Sequence, residues 1–425
     1  MSRQIELKES SQRWLLMLLL VAGMIICYAE RGALGVAAPV MIKELHLSKT
    51  VMGVLLSAFF WCYAFMQIPA GWLVDRFGVR KAYAVGFLIW TIASACTGLA
   101  GGLASLIVLQ IVLGIGQSVA FPASARAVAN WFPNSERGTV TACYLSGVRL
   151  GQALIGVVGV YLLVKYGWKL FFVLISVAPI LWLLPWHRFL GKWERAAQSS
   201  ASTEITEMKK SVSFFGSFAL LRNRTVLGIF LGFFAFDYVW FVYTRWLNGY
   251  LVIERKFTPA ETGFWTSAPY VVMSIIILIS GVASDRLIKR GYLEIRVRKT
   301  FIVLGLAIAL LIVPAGMVAD KMTAVWLLSI SLGGLGICAP NTWTLTQTVC
   351  SKNLVGTVSG IQNFGGNVGG IIAPALTGFI ADRTQSFAPA FTICGLILVM
   401  GIFSYTFLIG KQALAREPEA EPAII

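Results

Sequence analysis

The sequence predicts an all-α polytopic membrane protein, with twelve transmembrane helices in two pseudo-symmetric bundles of six. Three observations support this fold class. The chain has 425 residues and is 57% hydrophobic but only 13% charged, whereas a soluble chain carries about 25% charged residues. Apolar runs near the ~20 residues needed to cross a bilayer recur along its whole length. One short loop sequence also occurs twice, at matching places in the two halves of the chain.

The apolar runs divide into twelve candidate spans that are separated by polar loops. These spans lie at residues 14–37, 51–73, 82–100, 103–125, 139–163, 168–186, 225–250, 263–283, 300–318, 323–349, 355–380 and 387–410. The first 13 residues are polar, and the first span has no small-residue cleavage site. We therefore interpret that span as an uncleaved helix rather than a secretory signal.

One long polar interruption separates the sixth span from the seventh. Residues 188–224 contain a serine-rich run and several charged side chains. We predict that they form a cytoplasmic linker between two six-helix bundles. The N-terminal bundle would comprise residues 1–187, and the C-terminal bundle, with a short cytoplasmic tail, residues 225–425.

The positive charge of the chain is distributed unevenly between the two ends of the spans. If the N-terminus is cytoplasmic, 24 of the 35 Lys and Arg residues fall on the cytoplasmic side and 8 on the other side. This is the positive-inside bias, so we expect both termini in the cytoplasm and the protein in the cell inner (plasma) membrane. No basic stretch has the aromatic interleaving of a nucleic-acid platform, so we expect the lipid bilayer, and no nucleic acid, as a partner.

The repeated loop joins the second span to the third and the eighth span to the ninth. Residues 71–81 read GWLVDRFGVRK, and residues 281–291 read GVASDRLIKRG. In each copy a small residue precedes Asp-Arg and a basic turn, between two apolar stretches. We expect the carboxylates and arginines to hold cytoplasmic helix ends together in one state and to release them in another. The predicted gating residues are Asp75, Arg76, Arg80, Asp285 and Arg286.

With this motif the chain resembles the major facilitator superfamily over its whole length. Four further stretches resemble its anion:cation symporter branch, which includes the bacterial transporters of galactonate, glucarate and hexuronates. They are CYAER at 27–31, SAFFWCY at 57–63, WFPNSER at 131–137 and NFGG at 363–366. The resemblance implies a central cavity that opens alternately to each side of the membrane, and uptake of an organic anion with protons.

The resemblance also implies roles for four residues. In such symporters the acid of the first-span pair, here Glu30, takes part in proton coupling. Its neighbour, here Arg31, is linked to substrate binding, and Tyr63 and Asn363 match residues near the substrate. Consecutive residues of a helix point about 100° apart. The acid and the arginine therefore cannot both face one spot, and we expect one to face the cavity and the other a neighbouring helix.

The chain departs from the better-studied sugar-acid members in its fourth span. Those members carry an Arg and, seven residues later, a Glu, whereas this chain has Gln110 and Gln117. Residues seven apart share one helix face, and Gln117 is a candidate hydrogen-bonding group for substrate. Because Gln cannot titrate, we expect proton coupling to rest on Glu30 together with Asp237.

The predicted spans contain three arginines but only two acids. Of the 19 Asp and Glu residues only Glu30 and Asp237 fall within spans, together with Arg31, Arg149 and Arg245. A charge at mid-bilayer costs about 2.5–3.5 kcal/mol on insertion scales, so each of them needs a cavity or a partner; a structural ion pair is the alternative to a functional role. The surplus positive charge favours an anionic substrate. We predict that Arg149 binds it and that Arg245 snorkels to the interface.

Other function classes lack support in the sequence. There is no Gly-rich phosphate loop with a Lys-Ser/Thr ending, and the seven cysteines show no metal-ligand spacing. We expect no enzyme activity, no cofactor and no metal. The favoured interpretation is a monomeric secondary active transporter that couples a small organic anion, such as a sugar acid, to protons. The alternatives are an exporter of a larger organic anion or drug-like molecule, an organophosphate:phosphate antiporter and a non-transporting membrane sensor.

Overall fold

The computed structural model describes residues 2–132, 134–190, 218–350 and 355–410, and these residues are helical almost throughout. No β-strand occurs within those four ranges, which confirms the predicted all-α class. The linker prediction for residues 188–224 falls mostly on residues outside the described ranges.

The described helices follow one another with short connections. In chain order they are α1 Ser2–Glu44, α2 Lys49–Phe77, α3 Val79–Thr97, α4 Leu103–Gln117, α5 Ala120–Trp131, α6 Asn134–Leu154, α7 Val160–Val177, α8 Arg224–Ile253, α9 Pro259–Lys289, α10 Glu294–Ala309, α11 Ile312–Met317, α12 Lys321–Val349, α13 Val355–Thr384 and α14 Ala388–Phe403. A π-helical turn, Ile155–Gly159, joins α6 to α7, and a second one, Ser404–Leu408, extends α14.

The helices account for all twelve predicted spans. Among the described residues, ten stretches are long and apolar enough to cross a membrane. One of them, Cys143–Leu190, contains the predicted sixth span and all but the first four residues of the predicted fifth. Its backbone leaves helical geometry at Gly167 (φ 72°, ψ 166°). The remaining predicted span is α3, which carries Arg80 and Lys81 in its first turn.

Contacts between Cα atoms group the chain into two compact units. Unit 1 contains the chain up to Glu207 together with Val242–Val271 and Ile371–Phe387, and unit 2 contains the rest. Three long helices, α8, α9 and α13, therefore each contribute one part to each unit. The units cut across the predicted halves because the ends of these helices pack within unit 1, so the division into two six-helix halves stays a prediction.

Unit 1 is built on close crossings of α1 with α6 and of α2 with α4. A Cβ added to Gly151 of α6 would lie 2.5 Å from the Ile25 carbonyl oxygen of α1. A Cβ added to Gly114 of α4 would lie even closer to the backbone oxygen of Phe59 on α2. Small residues let membrane helices approach in this way. These crossings bring the middle of α1 against α2, α4 and α6, the helices that carry four of the five predicted substrate-binding residues.

Unit 2 has a comparable crossing between α10 and α12. A Cβ added to Gly305 of α10 would lie 2.5 Å from the Gly334 carbonyl oxygen of α12. On α8, Gly232 faces the ring of Tyr405, which belongs to the π-helical turn after α14. Unit 2 therefore holds the first part of α8 by the same use of small residues.

Both copies of the repeated loop contain a glycine in the left-handed region of φ. Gly78 ends α2 with φ 81°, and Gly291 lies between α9 and α10 with φ 94°. Side chains with a Cβ rarely adopt these angles. The two copies therefore share a backbone feature as well as their residue types, because the chain turns at a glycine in each of them.

We predict that Gly291→Ala destabilises the protein. A non-glycine residue held at such angles is strained by about 1–3 kcal/mol. The matched control is Gly281→Ala on α9, since an added Cβ there meets nothing within 4 Å. Thermal unfolding in detergent is the measurement, and we expect a lower Tm for Gly291→Ala only. Equal unfolding temperatures for the two variants would contradict the assignment.

Candidate functional site

The centre of unit 1 is the side chain of Arg31, in the middle of α1. It is 4% exposed, and its Nε donates to the Oε1 of Gln117 on α4 at 2.8 Å. The Nε2 of Gln117 in turn donates to the Cys27 carbonyl oxygen at 2.9 Å. The glutamine thus ties α4 to α1 at two points, and it fixes one edge of the guanidinium.

Aromatic rings surround the guanidinium. Its carbon lies 4.2 Å from the ring centroid of Tyr28, 4.6 Å from that of Phe59 and 4.6 Å from that of Tyr63. At these distances the ring faces attract a cation. The structure therefore brings together three of the predicted substrate-binding residues, namely Arg31, Tyr63 and Gln117, although their contact with a substrate stays a prediction.

Arg149 approaches the same region from α6. It lies between Gly147 and Gly151, the two glycines that pack on the α1 backbone. Its charge interacts with Tyr28 on α1 and with Tyr270 on α9. The tyrosine that faces Arg31 is therefore close to Arg149 as well.

Arg245 lies in the same place, and the prediction that it snorkels to the interface is wrong. Its side chain is 1% exposed, and its Nη1 donates to the backbone carbonyl oxygen of Arg31 at 2.6 Å. Its guanidinium carbon lies 5.4 Å from the ring centroid of Phe59 and 5.2 Å from that of Phe60. The face of α8 that carries this arginine packs on α1 within unit 1, so the side chain does not reach an interface. The helix also continues for more than two turns after Arg245, to Ile253, whereas the predicted span ended five residues after it.

Glu30 points away from these arginines. It is 2% exposed, and the hydroxyls of Thr91 and Ser94 on α3 lie beside its carboxyl group. No described group makes a hydrogen bond of ordinary geometry to either carboxylate oxygen. The acid therefore faces a neighbouring helix while Arg31 faces the aromatic rings, as the 100° spacing predicts.

The other in-span acid lies in unit 2. Asp237 is half-buried on α8, and its carboxylate contacts the backbone of α13 where Gly366 leaves room for it. Its charge also interacts with Tyr405. Asn363, one turn before Gly366, is half-buried and accepts a hydrogen bond on its backbone oxygen from Asn367. Contact between Asn363 and the substrate stays a prediction.

The first copy of the repeated loop is partly described. The side chain of Asp75 lies outside the described residues. The exposed Arg76 rests over the rings of Trp72 and Phe77, at 5.1 and 5.7 Å from their centroids. The backbone oxygen of Arg80 accepts a hydrogen bond from the indole of Trp186 at 3.1 Å. Roles for these residues in gating stay predictions.

The second copy of the repeated loop contains an ion pair that its sequence does not predict. The Asp285 carboxylate lies 2.7 Å from Nη2 of Arg298 on α10, whereas Arg286 is exposed. Nη1 of Arg298 donates to the Ser284 hydroxyl at 2.8 Å and approaches the amide oxygen of Asn341 on α12 at 3.3 Å. Arg298 thus joins α9, α10 and α12. The available signal in the sequence was that this arginine follows the second repeat by only seven residues.

Two polar contacts join the N-terminus of α2 to the last turn of α13. Lys49, in its first turn, donates to the Ala381 carbonyl oxygen near the end of α13 at 2.9 Å. The Thr50 hydroxyl donates to Asp382 at 2.7 Å. A cation at a helix C-terminus and a carboxylate at a helix N-terminus are both favourable, so the two helix ends stabilise each other. Nothing in the sequence pairs these residues, which lie more than 300 positions apart.

Within the described ranges no group of three or more His, Cys, Asp or Glu residues is placed to hold a metal ion. The site consists of cations, aromatic rings and amides, which suits an anion rather than a metal.

Comparison with known proteins assigns the fold to a family. The profile described as Major Facilitator Superfamily matches residues 20–374. The chain is 31% identical to the D-galactonate transporter of Escherichia coli O6:H1, over 95% of this chain and 97% of that protein. It is 33% identical to the hexuronate transporter of Bacillus subtilis, over 90% and 91%. The crystal structure of a D-xylose-proton symporter has a TM-score of 0.74 over 94% of this chain and 99% of that one. At 14% identity that likeness shows the fold alone.

We predict that Gln117→Leu lowers the stability of the protein and that Gln110→Leu does not. Removal of Gln117 leaves the buried Nε–H of Arg31 without an acceptor, which costs about 1–3 kcal/mol. Gln110 is a matched control on the same helix face, because its buried Oε1 has no hydrogen-bond partner among the described groups. Thermal unfolding in detergent should show a lower Tm for the first variant only. If Gln110→Leu lowers the Tm more than Gln117→Leu does, the hydrogen bond from Arg31 to Gln117 does not stabilise the protein as assigned here.

Proposed function

Since the chain belongs to the major facilitator superfamily of membrane transporters, we propose that its cargo is a small organic anion, a hydroxylated carboxylate such as a sugar acid. Membership of this family makes the chain a transporter rather than an enzyme, and its helices make it a multi-pass membrane protein. We propose further that it works by proton symport and alternating access.

One observation carries the choice of an anion. The Arg31 guanidinium is buried, Gln117 holds its Nε edge, and its Nη2 has no acceptor among the described protein groups. A guanidinium presents a planar fork that matches a carboxylate. Two relatives with at least 31% identity are named as transporters of D-galactonate and of hexuronates, and both names denote hydroxylated carboxylates.

The proposed contacts of the substrate begin at Arg31. Its carboxylate would bind this fork, and Tyr63 and Gln117 would supply neutral hydrogen-bonding groups beside it. Arg149, which shares Tyr28 with Arg31, would add positive charge to the site. The assignment of Asn363 rests on the family resemblance.

We assign proton coupling to Glu30 first. Its carboxyl group is buried beside two hydroxyls, and no described cation lies within ion-pair distance of it. A carboxyl group in such a place can gain or lose a proton without breaking an ion pair. Glu30 and Arg31 are consecutive residues of α1. A change in the charge of the acid would therefore act on the residue that is proposed to bind the substrate. Asp237 is the proposed second proton site.

The proposal includes location and assembly. The positive-inside bias supports the inner (plasma) membrane with both termini in the cytoplasm. The two repeated loops, with Asp75, Arg76, Arg80, Asp285 and Arg286, would then close the cytoplasmic ends of the helices. We propose a monomer as the transporting form.

We predict that Arg31→Gln weakens substrate binding about ten- to a hundredfold, because a charge-assisted hydrogen bond in a shielded site is worth roughly 1.5–3 kcal/mol. Arg31→Lys should also weaken it, since the planar fork is lost. The measurement is uptake of labelled galactonate into proteoliposomes at several concentrations. Arg383→Gln, which removes an exposed arginine of unit 1, is the control. Wild-type affinity in both Arg31 variants would refute this role, and the same assay shows the direction of transport.

We predict that Glu30→Gln abolishes uphill uptake driven by a proton gradient and leaves counterflow exchange. The amide keeps the shape of the side chain but cannot carry the proton. A mutant that still concentrates galactonate under a proton gradient would show that Glu30 does not couple transport to protons. Both fluxes can be measured in one proteoliposome preparation.

Asp237→Asn tests the second proton site in the same assay. If Asp237 titrates, the variant should change the pH profile or the proton:substrate ratio while the protein still folds. If Asp237 is a structural group, the variant should lower the Tm and leave the pH profile unchanged. The second result would leave Glu30 as the single proton site.

A further inference from the structure

The three arginines of the predicted spans gather in one place in unit 1. Arg31 and Arg149 both interact with Tyr28, and Arg149 and Arg245 both interact with Tyr270. In the sequence these three arginines are spread over more than 200 positions. Their assembly around two tyrosines concentrates positive charge beyond what one carboxylate can balance.

Two of these arginines are linked directly. The guanidinium carbons of Arg31 and Arg245 lie 4.6 and 5.4 Å from the centroid of the same ring, that of Phe59. Nη1 of Arg245 donates to the backbone oxygen of Arg31, so the α1 backbone itself holds the second guanidinium. Both side chains are at least 96% buried.

This pair lacks a protein counter-charge. In the described part of the chain no Asp or Glu lies within ion-pair distance of either guanidinium, and Nη2 of each has no acceptor. Glu30, which adjoins Arg31 in the sequence, faces the hydroxyls of α3 instead. Two like charges at short range repel each other strongly away from water, and each buried charge without a partner is costly.

We propose that Arg31 and Arg245 bind the two anionic groups of one doubly charged substrate, so that the preferred cargo is a dianion such as a dicarboxylate rather than a monocarboxylate. This inference rests on the proposed function, in which Arg31 binds an organic anion. A single carboxylate balances one guanidinium and leaves the other uncompensated. A second anionic group on the same substrate would balance the charge of the other guanidinium and would accept a hydrogen bond from its Nη2.

The position of Arg245 also makes it a specificity-determining residue. Arg245 makes no hydrogen bond to the guanidinium of Arg31, because its Nη1 donates to the backbone oxygen of that residue. Loss of its charge should therefore affect the recognition of the second anionic group and spare the first. A dianion that engages both residues also joins α1 to α8, which adds a contact between these helices.

The test compares pairs of ligands that differ by one terminal carboxylate. Binding of galactarate and galactonate, and of glucarate and gluconate, is measured by calorimetry on the full chain in nanodiscs at pH 7. We expect the wild type to bind each dicarboxylate at least about tenfold more tightly, the value of one charge-assisted contact. In Arg245→Gln the dicarboxylates should weaken about tenfold and the monocarboxylates less than about threefold. Arg383→Gln should leave all four affinities unchanged.

Several results would overturn the inference. A wild type that binds both members of each pair equally would refute it and leave the proposed function standing. Equal weakening of both members in Arg245→Gln would assign the residue to structure alone. If that variant does not fold, Arg245→Lys keeps the cation and should retain a reduced preference for the dianion, and the wild-type comparison remains decisive. A wild type that binds none of the four anions would refute the proposed function as well.

Discussion

The burial of the Arg31 guanidinium in the middle of α1 is the constraint on which the site depends. A cation at this depth is costly unless polar or aromatic groups surround it. The chain supplies an amide acceptor from α4 and ring faces from α1 and α2. The residues that meet this requirement also define the predicted site. Arg245 adds to the constraint, because it brings a second buried cation to the backbone of the first.

The separation of acids from bases follows from helix geometry. Glu30 adjoins Arg31 in the sequence, yet the 100° turn directs it toward the hydroxyls of α3. Asp237 lies in unit 2 against the backbone at Gly366. Helix geometry therefore keeps the Glu30 carboxylate away from the paired arginines Arg31 and Arg245. An anion that comes from outside the protein can then compensate those cations, whereas an internal ion pair would have competed with it.

The repeated loops share a backbone turn, but their sequence does not show which ion pairs they form. Both copies reverse the chain at a glycine with positive φ, Gly78 and Gly291. In the second copy the carboxylate of Asp285 is paired with Arg298, which follows the motif by several residues, and not with the adjacent Arg286. Adjacent residues on a helix point in different directions, so an Asp-Arg dipeptide does not make its own ion pair.

The sequence by itself determined the fold class and the twelve spans, and it assigned Arg31, Tyr63 and Gln117 to one predicted substrate site. Hydrophobic length, the repeated loop and the family motifs are local properties, and they can be read without coordinates. Only the tertiary structure decided the position of Arg245, the pairing of Asp285 with Arg298 and the contacts of Lys49 and Thr50 with α13. Each of these joins residues from different helices. The partner of a buried charge depends on how those helices cross, and the periodicity within one helix does not contain that information.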